Sequence, residues 1–270
     1  MNKKDQISHN YLDRYLDNIR SLGRYSFTLE ELQSEFDISY RALKQNLYRL
    51  KSKNEIAQVR QGFYVIIPPE YSKQGMLPPY LFIDDLLKSL NKPYYVALLS
   101  AAALHGAAHQ QPMEYFIITQ TPAPRNISNE NLKISFFSKN DWELDDIVQK
   151  TTDAGYLNVS SAELTALDLI AYVDKIGLNR ATTIIQELSQ TMKVSALSKT
   201  AKRYPITSVI QRLGYILQKV LGEDKLAEAL MKVLDNKTFV PIPLSTSNEK
   251  TGETDEIWKI IKNMEIESDL

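Results

Sequence analysis

One continuous segment, residues 28–67, constrains the fold more than any other part of the chain. It has the order helix, turn, helix and short hairpin. Thr28 and Glu31 have the spacing of a capping box, which satisfies the first N–H groups of a helix. Ser39 can cap a second helix, and Gly62 suits a hairpin turn between two strand-like runs. The segment therefore predicts a winged helix-turn-helix.

The second helix of this segment has one apolar face and one polar face. Leu43, Leu47 and Leu50 recur at helical spacing and are expected to point into a core. Arginine and glutamine on the opposite face can contact guanine and adenine edges in the major groove, and the first turns of such a helix normally reach the bases. The predicted DNA-binding residues are Ser39, Tyr40, Arg41, Lys44, Gln45, Tyr48, Arg49, Arg60 and Gln61.

The predicted roles differ along this surface. Base contacts are expected from the early helix positions, and phosphate contacts from Arg49, Lys51 and Lys53. Arg60, at the hairpin tip, is expected to reach the DNA backbone or the minor groove. Six basic residues and one acid, Glu55, lie between positions 38 and 62, whereas the whole chain has a net charge of −1. A local basic patch is typical of a DNA-contacting surface, although a solvated helix face or a protein-binding winged helix would look similar.

Composition and the positions of proline residues suggest the domain organisation. We expect a winged helix-turn-helix over residues 1–67, a proline-containing linker over 68–79, and an effector domain over 80–270. Strands interspersed with helices in the last range indicate an α/β fold of the mixed α+β kind. The absence of cysteine excludes disulfides and thiolate ligands. With no apolar segment at the start of the sequence, we expect a cytoplasmic protein that has no membrane contact.

The pattern of the effector range predicts individual elements. Helices are expected over 81–90, from Tyr95 to Leu104, over 179–191, 206–221 and 223–234, and from a capping box at Ser160 and Glu163 to Lys175. Strands are expected over 114–119, 132–137 and 155–159. Residues 241–254 are expected to form a loop, and the pattern of 257–261 fits either a strand or a short helix.

No catalytic or cofactor-binding constellation is found in the sequence. His105 and His109 have the spacing of a zinc-binding pair, but Gly106 interrupts the helix and no third ligand is apparent. The acidic pairs are more typical of solvated surfaces, and no glycine-rich phosphate loop or nucleophile elbow occurs. We therefore predict no catalytic residue, no metal, no cofactor and no enzymatic activity. Basic residues after position 199 indicate a solvated face more than a binding surface.

Five sequence runs are distinctive: RQGFYV at 60–65, YYVALLSAAALHG at 94–106, VSSAELTALDL at 159–169, IQRLGY at 210–215 and WKIIKN at 258–263. Together they resemble the AbiEi-type antitoxins of bacterial abortive-infection, type IV toxin–antitoxin systems. The resemblance extends from about residue 10 to the end of the chain. Its order and spacing are more specific than any single run.

The resemblance implies two activities. The N-terminal domain would bind inverted repeats in its own promoter and repress its operon. The remaining domain would counteract a nucleotidyltransferase-like toxin, and direct contact with that toxin is not required. Two copies could pair on DNA while the protein is a monomer in solution. The alternatives are a stand-alone winged-helix transcription factor with a ligand- or protein-binding C-terminal domain, and an enzyme of an unrecognised type.

Overall fold

The computed structural model describes residues 3–107, 113–235 and 237–267, and it has the mixed α and β composition that the sequence predicts. The chain forms two compact units. The first consists of Met1–Tyr95, Ile117–Asp141 and Gln149–Asn158, and the second of Val96–Phe116, Trp142–Val148 and Val159–Leu270. None of the described helices is long and apolar enough to cross a membrane.

The first unit begins with three helices and a small antiparallel sheet. The elements are α1 (Lys3–Ser21), β1 (Ser26–Thr28), α2 (Leu29–Glu35), α3 (Tyr40–Ser52), β2 (Ile56–Arg60) and β3 (Phe63–Ile66). The strands have the order β1-β3-β2, so that β3 pairs with both neighbours.

Two predicted helix caps are present. Thr28 Oγ1 accepts from the Glu31 N–H at 3.1 Å, and the Glu31 carboxylate accepts from the Thr28 N–H at 2.8 Å. This reciprocal pair completes the capping box of α2. Ser39 Oγ accepts from the Ala42 N–H at 3.3 Å and caps α3. Both helix starts are therefore fixed by side chains that the sequence identifies.

The segment after the hairpin packs with the elements before it. Two 3-10 turns, Pro69–Tyr71 and Pro79–Leu81, lie in or beside the predicted linker, and Met76 and Leu77 are buried. Next comes α4 (Ile83–Ser89), where Asp85 accepts from Ser26 Oγ at 2.6 Å. The compact units thus do not follow the predicted boundaries at 67 and 79. The division of functions between those residue ranges stays a prediction.

A second sheet has six strands, which are β4 (Tyr94–Val96), β5 (Tyr115–Thr119), β6 (Ile127–Asn129), β7 (Leu132–Ser138), β8 (Ile147–Thr152) and β9 (Gly155–Ser160). Their order in the sheet is β6-β7-β5-β4-β9-β8. The three strands that the sequence predicts are confirmed. The helix predicted from Tyr95 is wrong at its start, because Tyr94–Val96 forms a buried strand, and β6 and β8 were not predicted.

The second unit is mainly helical. The helices predicted over 179–191, 206–221 and 223–234 are confirmed, whereas the helix Val194–Arg203 was not predicted. Its helices are α5 (Leu98–Leu104), α6 (Ala162–Ala171), α7 (Val173–Ile176), α8 (Leu178–Ser189), α9 (Val194–Arg203), α10 (Thr207–Tyr215), which continues as a π-helical turn over Ile216–Val220, and α11 (Asp224–Leu234). Short strands β10 (Ile242–Pro243), β11 (Thr254–Asp255) and β12 (Ile260–Ile261) follow, so the predicted loop and the ambiguous run both contribute to a small sheet.

The predicted capping box at the start of α6 is wrong by one residue. Ser161, not Ser160, is the cap, and its Oγ accepts from the Leu164 N–H at 3.1 Å. Ser160 is fully buried and its hydroxyl lies 2.7 Å from Thr165 Oγ1. Glu163 accepts instead from the Lys193 N–H at 2.8 Å, which links the start of α6 to the residue before α9.

A glycine in α10 permits a close packing contact with Trp258 in the second unit. A Cβ at Gly214 would lie 2.0 Å from a ring atom of Trp258, so the indole rests directly on the helix backbone. Trp258 is 1% exposed, and its Nε1 donates to Gln218 Oε1 at 2.9 Å. Gln211 Nε2 donates to the Trp258 carbonyl oxygen at 3.1 Å. These contacts hold the C-terminal segment against α10.

We predict a strongly non-additive double-mutant cycle at this contact. Gly214→Ala should lower the free energy of unfolding by about 1–3 kcal/mol through overpacking, and Trp258→Ala by about 3–5 kcal/mol. In the Trp258→Ala background, Gly214→Ala should be neutral or stabilising, because the ring is gone and alanine favours a helix by about 1 kcal/mol. Urea unfolding gives the free energy of unfolding of the parent, the two single variants and the double variant. Additive losses would contradict the close contact between Gly214 and Trp258.

Candidate nucleic-acid interface

The outward face of α3 brings most of the predicted contact residues together. Leu43, Leu47 and Leu50 are buried in the core with residues of α1 and α2. Because α-helical side chains repeat every 3.6 residues, the other face is left to solvent. Its exposed residues are Tyr40, Arg41, Lys44, Gln45, Tyr48 and Arg49. Tyr48 is 75% exposed, which is unusual for a large aromatic side chain.

Ser39 stands apart from this set. It is exposed and directly precedes α3, but its hydroxyl oxygen already accepts the Ala42 N–H. The hydroxyl proton is still available as a donor, since a serine hydroxyl can donate and accept at once. The structure therefore shows a capping role for Ser39, and a second role at this surface stays a prediction.

The hairpin places its two predicted residues differently. Gly62 has φ +78° and forms the turn, and Gln61 beside it is exposed. Arg60 is half-buried, and it directly follows a register shift in the pairing of β2 with β3, between Gln58 and Arg60. The guanidinium atom Nη1 of Arg60 is buried and has no hydrogen-bond partner among the described residues. Arg60 is thus not a freely extended residue at the hairpin tip.

A cleft of about 990 Å³ lies between α3 and the hairpin. Lys44 and Lys51 of α3 line one side, and Arg60 lies on the hairpin side. Glu30 of α2 is the one acidic residue among the described lining residues. The remaining lining residues include Thr28, Gln33, Tyr40, Tyr48, Gln58, Gln61, Phe63, Tyr64, Leu86, Ser89 and Leu90. Leu29 and Leu47 also line the cleft, so it combines apolar, aromatic and cationic side chains.

Lys44 connects the two sides of this cleft electrostatically. Its Nζ lies 4.4 Å from the centre of the Tyr40 ring, within cation–π range. Burial raises the pKa of the Tyr64 hydroxyl on β3, and the positive charge of Lys44 opposes that rise. Tyr64 also stacks on Phe27, with ring centres 5.5 Å apart and an interplanar angle of 11°. Tyr64 is not among the predicted contact residues, although its alternation with buried Phe63 and Val65 could have indicated it.

The described residues do not form a candidate metal site. Within residues 3–107, 113–235 and 237–267, no group of three His, Cys, Asp or Glu side chains could hold a metal ion. His105 Nε2 lies 2.7 Å from the Ser160 carbonyl oxygen. His109, its partner in the considered pair, lies outside the described residues.

Two of the basic residues after position 199 have structural partners. Arg203 Nη2 donates to Asp146 Oδ1 at 2.7 Å, and Thr200 Oγ1 donates to the same oxygen at 2.7 Å. Arg212 Nε donates to the Pro243 carbonyl oxygen at 3.0 Å, and burial lowers the pKa of its guanidinium. These two arginines stabilise the second unit, in line with the preference against a binding surface there.

The geometry first defines a class: a mixed α and β protein whose N-terminal helices and hairpin expose an aromatic, cationic surface. Comparison with known proteins then identifies one domain. Residues 95–219 match the family model described as the AbiEi antitoxin C-terminal domain. The chain therefore contains an AbiEi antitoxin domain, which confirms the resemblance found in that part of the sequence. No curated protein matches the chain.

Solved structures add information about the fold alone. The crystal structure of the RV2827C protein from Mycobacterium tuberculosis has a TM-score of 0.64 and 16% sequence identity, and the match covers 93% of this chain and 91% of that chain. An antigenic nucleotidyltransferase-like protein from Paracoccidioides brasiliensis has a TM-score of 0.32 and 12% identity, with 55% of this chain and 88% of that chain covered. The second similarity is too low to support an argument.

We predict that the Ser39 cap contributes measurably to α3. Ser39→Ala should lower the free energy of unfolding by about 1 kcal/mol, because the Ala42 N–H loses its side-chain acceptor. Ser34→Ala is the matched control, since the Ser34 hydroxyl donates to the Glu31 carbonyl oxygen from within α2 and caps no helix start. Chemical unfolding compares the two variants, and equal stabilities would argue against the cap.

Proposed function

We propose that this AbiEi-type antitoxin is also a transcriptional autorepressor that binds inverted repeats in its own promoter. The observation that carries the proposal is the exposed face of α3. Arg41, Lys44, Gln45 and Arg49 share that face with two exposed tyrosines, while the leucines of the same helix are buried. Arginine and glutamine have the donors and acceptors needed to read base edges, and this reading requires a helix that is fixed in rotation.

Charge supports binding to double-stranded DNA. The net charge of the whole chain is −1, so a basic surface must arise from local clustering and not from overall composition. Lys44, Lys51 and Arg60 line the same cleft, close to the arginines of α3. DNA phosphates attract such a cluster, and binding should weaken steeply as salt rises. We propose that Arg41, Lys44 and Gln45 meet bases and that Arg49 and Lys51 meet phosphates.

The second part of the proposal concerns the partner. The family match establishes the antitoxin domain, and we propose that its counterpart is a nucleotidyltransferase-like toxin whose effect the domain opposes without enzymatic activity. Direct contact with the toxin is not part of the proposal. Both activities place the protein in the cytoplasm, and two copies would pair on the two halves of an inverted repeat, with a monomer in solution.

Replacement of the α3 side chains tests the first part. Arg41→Ala and Lys44→Ala should each weaken binding to upstream DNA by about 1–3 kcal/mol if they lose a base contact, and should relax specificity at one position. Lys73→Ala is the control, because Lys73 is an exposed lysine of the same unit outside α3 and the cleft. Fluorescence anisotropy at two salt concentrations provides the affinities. Parent-like binding by both α3 variants would show that the assigned surface is wrong.

The same variants separate repression from antitoxin activity. The doubly substituted protein, with Arg41→Ala and Lys44→Ala, should lose repression of a promoter reporter yet still rescue cells that express the partner toxin from an unrelated promoter. The reason is that both side chains lie on α3, outside residues 95–219, which match the antitoxin domain. A loss of rescue at parent-like protein levels would mean that the N-terminal surface takes part in neutralisation.

A further inference from the structure

The cleft between α3 and the hairpin contains a cation whose hydrogen-bonding capacity is not fully used. One guanidinium nitrogen of Arg60, Nη1, is buried and has no partner within the described part of the chain. Nearly all buried polar groups in folded proteins have a hydrogen-bond partner, and a charged donor without one is unfavourable. Arg60 lines the cleft and is half-buried, so a hydrogen-bond acceptor in the cleft can reach its guanidinium after a change of side-chain rotamer and remove this unfavourable term.

The surroundings of Arg60 indicate the charge of that ligand. Lys44 and Lys51 line the same cleft, and Glu30 is the acidic residue that faces them among the described lining residues. Three cations against one carboxylate favour an anion. A guanidinium offers parallel N–H donors in a planar fork, which matches the oxygens of a phosphate group better than a single carbonyl oxygen.

The cleft is also held in shape before any ligand binds. The Leu29 N–H donates to the Gly62 carbonyl oxygen at 2.8 Å, so the hairpin turn is anchored to the first residue of α2. Arg60 is half-buried and lies at the end of β2, where it pairs with Phe63 of β3 across the turn. A site that does not need to be ordered on binding loses less conformational entropy when its ligand arrives.

Aromatic side chains in the cleft favour a nucleotide over a phosphate ion alone. Tyr40, Tyr48 and Tyr64 line the cleft together with the three cations. Tyrosine rings can stack on nucleic-acid bases, and the volume of about 990 Å³ is at the upper end of the size range for small-molecule sites. The combination of stacking surfaces and a phosphate ligand is the chemistry of a nucleotide site.

We propose that this cleft binds the phosphate group of a nucleotide, with Arg60 as its principal ligand and Lys44 and Lys51 as supporting charges. The phosphate belongs either to the DNA backbone or to a free nucleotide that competes with DNA. The proposal deepens the proposed function at the DNA-binding surface, but it does not require sequence-specific binding. In the free-nucleotide case, DNA binding by this antitoxin responds to nucleotide concentration.

The test compares Arg60→Gln with Lys73→Gln in the full chain. Both substitutions remove one positive charge, but Lys73 does not line the cleft. Isothermal titration calorimetry with AMP and with inorganic phosphate measures free ligands, and fluorescence anisotropy measures upstream and unrelated duplexes. Arg60→Gln should weaken the binding of its true ligand by about tenfold, as expected for a hydrogen-bonded charge, whereas Lys73→Gln should bind like the parent.

The pattern of losses identifies the source of the phosphate. If AMP binds to the parent and not to Arg60→Gln, and also displaces DNA, the ligand is a free nucleotide. If AMP does not bind, Arg60→Gln should weaken both duplexes equally and reduce the salt slope by about 0.9. The proposal would be overturned if Arg60→Gln and Lys73→Gln had equal affinities for AMP and for both duplexes. That result would count against the cleft even if the α3 variants lose operator binding.

Two further results would also bear on the proposal. A parent protein that binds no DNA but binds AMP through Arg60 would refute the repressor function and support the cleft. If circular dichroism shows that Arg60→Gln is unfolded, Arg60→Lys replaces it, because lysine keeps the charge but cannot form the planar fork. Affinities of Arg60→Lys equal to those of the parent for AMP and for both duplexes would then overturn the proposal.

Discussion

The N-terminal surface depends on the burial of one leucine stripe. Leu43, Leu47 and Leu50 are each at most 3% exposed, and each contributes about 1.5–3 kcal/mol relative to an exposed position. A helix with a single apolar stripe can pack in only one rotation without exposing it. That rotation determines which side chains of α3 face solvent. Ser39 and the capping box of α2 fix where the two helices begin, so the position of each exposed side chain follows from the core beneath it.

The hairpin adds a second constraint that acts on charge. The Leu29 N–H anchors the hairpin turn at Gly62, and Arg60 of the same hairpin lines a cleft whose other cations come from α3. Cations at a partly water-excluded site interact with an anion more strongly than the same charges in free solution. The overall net charge of −1 therefore does not oppose local attraction of a phosphate. Packing and electrostatics converge on the same surface of the first unit.

The parts that the sequence predicts are those whose interactions are local. Thr28 and Glu31 are three residues apart, and the leucines of α3 lie within two turns. Other features depend on partners far along the chain. Tyr95 and Val96 were predicted to begin a helix but belong to the strand Tyr94–Val96, because all positions of that strand are apolar and show no period of two. The contacts of Trp258 with α10, and of Arg60 with its cleft, arise only when distant segments are brought together. Periodicity and spacing do not contain that information.

The most direct test of the central claim is a DNase footprint of the full chain on its own upstream DNA. The claim is that the α3 surface reads an inverted repeat. It predicts two protected half-sites related by symmetry, with centres about one helical turn or a multiple of it apart. Protection should persist in the presence of excess unrelated duplex. The claim would be contradicted if protection were uniform along the DNA and disappeared when unrelated duplex was added. It would also be contradicted if no protection occurred at protein concentrations at which the DNA is bound.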